Sequence, residues 1–154
     1  MKTKAAVFLE RHPPDDGDDI ELNESGEVNL PPLIPPGRFE VQFLKAEKRG
    51  FYKRQKLFLR FQIISPGPHH GLQVYLVCDV TKRKHWHPSS KFLQTWVLAA
   101  GKKPDRMDRM STKVFKGKVF LAEIRTVTKN AQGWERPVEL QYSVIKGLIR
   151  RLTN

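Results

Sequence analysis

The sequence predicts a small, mainly β domain with a single internal helix, preceded by an acidic, proline-rich arm. Three observations carry this. Apolar and polar residues alternate with a period of two through several stretches, as strands with one buried face require. One stretch, Ser89 to Gly101, switches to helical spacing. The charge is also split. Residues 1–34 hold eight acids and three bases, whereas residues 35–154 hold the other eight acids and 25 bases.

The 154 residues include 9 Phe, 3 Trp and 3 Tyr, enough apolar mass for one core and too much for a wholly unfolded chain. A lone cysteine, Cys78, excludes an internal disulfide framework and fits a reducing compartment. No apolar run reaches the ~18 residues of a membrane span. The apolar stretch Ala5 to Leu9 is too short for a secretory core. A cytoplasmic protein is expected.

The arm comes first. Pro13-Pro14, Asp15-Asp16-Gly17-Asp18-Asp19, Pro31-Pro32 and Pro35-Pro36-Gly37 interrupt any period. Proline removes backbone donors and like charges repel, so residues 10–36 are expected to be extended and disordered. This divides the chain into an arm over 1–36 and a folded domain over 37–154. Tethered beside a basic domain, residues 10–30 are expected to compete with its ligand; the alternatives are a solubilising tail or the site of a protein partner.

Within the domain, Phe39, Val41 and Phe43 alternate with Glu40 and Gln42 in a first strand, Arg38 to Arg49. Leu57, Leu59, Phe61 and Ile63 fall on one face of a second, Lys56 to Ile64. The prolines and glycines of Ser65 to Gly71 make a turn. Leu72, Val74, Leu76 and Cys78 face one way in a third strand, Leu72 to Val80. Ser89-Ser90 then offers a helix N-cap, Phe92, Leu93, Trp96, Val97 and Ala100 recur at helical spacing, and Gly101 sits at the C-terminal cap. A short helical turn is expected at 111–115. Val119 to Thr128 is a fourth strand, Lys129 to Arg136 a loop turned by Gly133, and Val138 to Ser143 a fifth strand. Ile145, Leu148, Ile149 and Leu152 share one side of a short final helix over 144–152.

Three strands, a helix and two strands is the element order of the OB-fold, a five-stranded, partly open Greek-key barrel with its helix between strands three and four. Another small α+β sheet is the other arrangement of these elements. In an OB-fold, strands two and three and the loops joining strands one–two and four–five form the binding face. This sequence puts bases beside aromatics at those places. The one–two loop contributes Arg49, Phe51, Tyr52, Lys53, Arg54 and Lys56; strands two and three contribute Phe58, Arg60 and Tyr75. The loop after strand three contributes Lys82, Arg83, Lys84 and Trp86, and the four–five loop Lys129, Trp134 and Arg136. Aromatic rings stack on unpaired bases while Lys and Arg follow phosphates. A duplex hides its base faces, so the pattern points to single strands, DNA or RNA.

Other chemistries find little support. His85-Trp86-His87 invites a metal reading, with His69, His70 and Cys78 as helpers, yet no Cys-x-x-Cys or His-Glu-x-x-His spacing occurs. The domain's acids Glu40, Glu47, Asp79, Asp105, Asp108, Glu123, Glu135 and Glu139 are scattered, whereas a two-metal nuclease needs converging carboxylates. No phosphate-cradling glycine loop, catalytic triad or cofactor motif is present. The expectation is a protein that is not an enzyme and carries no metal or cofactor.

Pro36-Gly37-Arg38-Phe39-Glu40-Val41, the strand Leu57 to Ile64, the Gly71 turn, Ser90-Lys91-Phe92, Val114-Phe115-Lys116-Gly117-Lys118 and Tyr142-Ser143-Val144-Ile145 resemble small phage and mobile-element proteins. These are OB-fold single-stranded DNA-binding or replication-accessory proteins. The resemblance implies a bacterial or phage cytoplasm and protection of single strands during replication, recombination or transfer. Housekeeping bacterial proteins of this type end in an acidic tip that recruits partners, whereas this sequence ends Lys146 to Asn154 and carries its acidic segment at the other end. The alternative is a protein-interaction module of a mobile element, its apolar last helix packing on the partner.

Overall fold

The computed structural model describes residues 31–51, 54–80 and 87–153. Tyr52, Lys53, Lys82, Arg83, Lys84, Trp86 and the expected disorder of the arm up to residue 30 lie outside the described residues, as do the side chains of Phe51 and Arg54.

Five strands form one antiparallel sheet: β1 (Gly37–Phe51), β2 (Arg54–Ile63), β3 (Gln73–Asp79), β4 (Val119–Val127) and β5 (Tyr142–Arg151). Their order across the sheet is β3-β2-β1-β4-β5. One helix, α1 (Lys91–Ala100), connects β3 to the second half of the chain. The mainly β architecture with one helix follows the sequence. The sheet does not close as a hydrogen-bonded barrel: β3 and β5 approach each other, but no ladder among the described residues joins them.

The predicted alternation builds the core. Leu57, Leu59, Phe61 and Ile63 of β2 face Val74, Leu76 and Cys78 of β3, and all are buried. Phe43, Phe61, Phe115 and Phe120 meet in one aromatic cluster, with ring centroids 5.4–6.2 Å apart. Phe115 comes from the expected short turn, a 3-10 helix at Thr112–Phe115. Helix α1 starts where Ser90 Oγ accepts the Leu93 amide and ends at Gly101, whose φ of 74° suits a residue without Cβ. Its buried face is Phe92, Leu93, Thr95 and Ala99. Val97 and Ala100, predicted to point inward, are only half-buried. Thr95 reaches the core because its hydroxyl donates back to the Lys91 carbonyl at 2.6 Å, which satisfies the one polar atom it buries.

The C-terminal prediction fails. Residues 138–140 form a 3-10 turn, and the expected helix over 144–152 lies in β5, which runs to Arg151. The cause is two register shifts against β4. Ile145 pairs with Ile124 and Leu148 with Ala122, and Lys146 and Ile149 are the extra residues between ladder positions. Such insertions space same-face residues three apart, which imitates a helical period. Val144, Ile145 and Ile149 are β-branched and Gly147 lies among them, a poor helix composition. Ile145 is buried in the core, so the apolar helix face invoked for a protein partner does not exist.

The core also takes a residue from before Gly37. Ile34 is 1% exposed. Its N–H donates to Ser143 Oγ at 2.7 Å, and that hydroxyl donates to the Ile34 carbonyl at 3.0 Å. The Ser143 amide donates to the Pro32 carbonyl at 2.9 Å. The root of the arm is thus strapped to β5.

Candidate nucleic-acid interface

The outer face of the sheet is made by an irregularity in β1. Val41 and Phe43 point into the core opposite Ile63 and Phe61, but the next pairs are Lys45 with Arg60 and Ala46 with Leu59. Leu44 is the extra residue, a β-bulge that inverts the parity of everything after it. Without it, Lys45, Glu47 and Arg49 would share the face of Val41 and Phe43. With it, they stand on the outer face beside Lys56, Phe58 and Arg60 of β2. The β2–β3 register adds Tyr75 opposite Arg60 and Gln73 opposite Gln62.

These side chains touch. Phe58 and Tyr75 meet edge to face at 5.7 Å. The Arg49 guanidinium lies 4.6 Å from the Phe58 ring centre, and that of Arg60 lies 4.9 Å from Tyr75, both cation–π distances. Arg60 also donates to the Tyr75 hydroxyl and, at 3.3 Å, to Gln73 Oε1. Its Nε is buried with no acceptor among the described residues. Lys56 is 3.8 Å from Asp79, an exposed and weak pairing.

Glu47 holds this face together. Its carboxylate is 3.0 Å from Arg49, 3.2 Å from Lys45 and 3.2 Å from Arg60. The hydrogen bond from Arg49, then that from Lys45, holds the Glu47 carboxyl below its ordinary range, and Glu47 in turn raises Arg49. By sequence this residue looks like one scattered acid. The bulge that brings three cations around it leaves no mark in a count of alternating residues.

The β4–β5 connection carries the other predicted cluster. Asn130 Oδ1 accepts the amides of Gln132 and Trp134, each at 3.0 Å, and Gly133 turns the chain at φ 85°. Trp134 is thereby left 74% exposed. Arg136 Nε donates to the Lys129 carbonyl at 3.3 Å, and its guanidinium lies 5.3 Å from the Tyr142 ring. The two clusters flank the arm's root. An open cleft of about 430 Å³ is lined by Pro31, Pro32, Arg49, Arg60, Leu72, Gln73 and Tyr75. A smaller one of about 130 Å³ is lined by Pro31, Arg136, Glu139, Leu140, Gln141 and Tyr142. Pro31 is common to both. Sequence reasoning did not single out Glu47, Gln73, Tyr142 or the two prolines for this site.

A third cleft, about 520 Å³, lies at the C-terminal end of α1 among Trp96, Lys102, Arg106, Arg109 and Lys118. Lys118 Nζ and Arg151 Nη1 both donate to the Ala99 carbonyl, at 2.9 and 3.1 Å. Burial, then the neighbouring Arg151, lowers the Lys118 pKa.

His85 lies outside the described residues. His69 packs edge-on against Phe39 at 6.0 Å, and His87 Nδ1 is 2.6 Å from Ser89 Oγ. Among the described residues no three His, Cys, Asp or Glu side chains come together as metal ligands do. Cys78 is buried, and burial pushes its thiol pKa up to about 11. No helix among the described residues is long and apolar enough to cross a membrane. Compared with known proteins, the chain matches no family model, no curated protein and no solved structure.

Proposed function

We propose that this chain binds single-stranded nucleic acid, DNA foremost, without sequence-specific readout and without catalysis. The observation that carries the reading is the outer face of β1–β3, where Phe58 and Tyr75 form a joined aromatic surface edged by Arg49 and Arg60. Rings there would stack on bases; guanidiniums and the nearby Lys56 would meet phosphates. Exposed Trp134 and half-buried Arg136 extend the surface toward the β4–β5 connection. The strand order and the approach of β3 to β5 support the OB-fold reading, in which this is the binding face. By the resemblance noted above, the role is to protect single strands during replication, recombination or transfer of a mobile element in a bacterial cytoplasm.

The test is a titration of labelled oligo-dT at several salt concentrations, with oligo-U and duplex DNA as competitors. Neutralising about five phosphates gives a slope of log affinity against log salt near −3 to −4. Absent binding at low salt, or binding indifferent to salt, refutes the proposal. Stronger competition by duplex than by oligo-dT refutes the single-strand preference. The second reading, a protein-interaction module, draws on the basic cleft beside Trp96, and size-exclusion with and without oligonucleotide separates the two.

A further inference from the structure

The arm enters the molecule at the candidate interface. Its last residues are fixed: Ile34 is buried, and Pro32 and Ile34 are tied to Ser143 by three hydrogen bonds. Pro31 and Pro32 then form one wall of the cleft whose other walls carry Arg49, Arg60 and Tyr75. Just upstream, residues 15–27 contain seven acids (Asp15, Asp16, Asp18, Asp19, Glu21, Glu24, Glu27) and no base. The reach is short. At ~3.3 Å per residue, Glu27 is at most ~13 Å of chain from Pro31 and Glu24 ~23 Å.

We infer that the acidic segment 15–27 of the same chain docks in this cleft and leaves it when a polyanion takes its place. The cleft's cations already accept a carboxylate, since Glu47 lies 3.0 Å from Arg49 and 3.2 Å from Arg60. An incoming carboxylate would therefore compete with Glu47 for these guanidiniums. Pro31 also lines the neighbouring cleft, which holds Arg136 and Glu139. A tether this short keeps the segment at a local concentration of the order of millimolar. Opposite a contact of about 0.1 mM, that weakens an external ligand roughly tenfold. The inference uses the nucleic-acid reading only to say what displaces the segment.

The test uses the full chain. A nitroxide placed at Ser25→Cys, with the buried Cys78 left unlabelled, should broaden the amide signals of Gln73 to Tyr75 at low salt. The broadening should vanish when the seven acids are changed to Asn and Gln, and when oligo-dT is added. The neutralised chain should bind oligo-dT about tenfold more tightly at low salt, with the difference lost near 0.5 M salt as screening shortens the electrostatic range. No broadening at the cleft, or unchanged affinity on neutralisation, overturns the inference. So does broadening that arises between labelled and isotope-enriched chains in a mixture, which would put the segment on a second copy. Broadening at the cleft with no oligo-dT binding would leave the docking standing and remove the nucleic-acid reading instead.

Discussion

Ser143→Ala is the most direct probe of how the arm is rooted. The Ser143 hydroxyl is buried and makes two bonds to one residue, accepting from the Ile34 N–H at 2.7 Å and donating to the Ile34 carbonyl at 3.0 Å. Removing it leaves both backbone groups of a residue 1% exposed without those partners. An unpaired buried polar group costs about 1–3 kcal/mol. The bond from the Ser143 amide to Pro32 survives, so some adjustment of the strap offsets part of the loss. We expect a net destabilisation of about 2–3 kcal/mol, or a fall in Tm of about 8–12 °C for a domain of this size. Urea denaturation followed by circular dichroism measures it, with an unchanged m-value as the sign that the folded state is otherwise intact. Ser65→Ala is the control: its hydroxyl accepts one exposed amide, that of Glu40, at 2.7 Å, and should cost under about 1 kcal/mol. If Ser143→Ala costs no more than Ser65→Ala, the segment before Gly37 is not held as described, and the placement of the arm's root falls with it.

Two further outcomes follow from particular side chains. Trp134→Ala and Tyr75→Ala should each weaken oligo-dT by about 1–3 kcal/mol, the usual loss of a stacking partner. Trp134→Ala should leave Tm unchanged, because the ring is 74% exposed; an unaltered affinity in both variants would remove the stacking surface from the reading. For Cys78, burial raises the folded thiol from 9.0 to about 11, so the folded state keeps its proton where the unfolded chain loses it. The stability this confers is complete below pH 9 and is lost as the pH rises from 9 to 11, up to about 2–3 kcal/mol. The difference between wild type and Cys78→Ala across that range measures it, and a flat difference refutes it.

The elements that were legible share one property: the local pattern and the tertiary demand agree. In β2, Leu57, Leu59, Phe61 and Ile63 alternate without interruption, and the first three pair in unbroken register with Cys78, Leu76 and Val74. Around α1, Ser90 and Gly101 both act as the caps their chemistry suits. The arm's root was illegible for a different reason. Pro31-Pro32 and Pro35-Pro36 speak for an extended chain, and residues 31–35 carry no regular secondary structure, but that alone does not say whether a strand lies alongside. Only the partner, Ser143, more than a hundred residues away, turns Ile34 from linker into core.

The bulges account for the rest, at both ends of the domain and in opposite senses. In β5, two inserted residues gave strand positions a spacing of three, and periodicity alone then reads a helix. In β1, one inserted residue, Leu44, moved Lys45, Glu47 and Arg49 from the inner face to the outer. An uninterrupted strand would have sent Arg49 toward the core, against the cost of burying a charge. The sequence holds that clue: three charged residues at alternate positions directly after Val41 and Phe43 cannot continue the same buried face. The parity break follows from the charge pattern, although its position does not, since either Leu44 or a neighbour could be the extra residue. Once the break is placed, Glu47 must face β2 between the rows of Arg60 and Lys56, and Arg49 must come beside Phe58. The candidate interface is therefore a consequence of one irregular residue in β1, and a strand with regular alternation through Leu44 would not have assembled it.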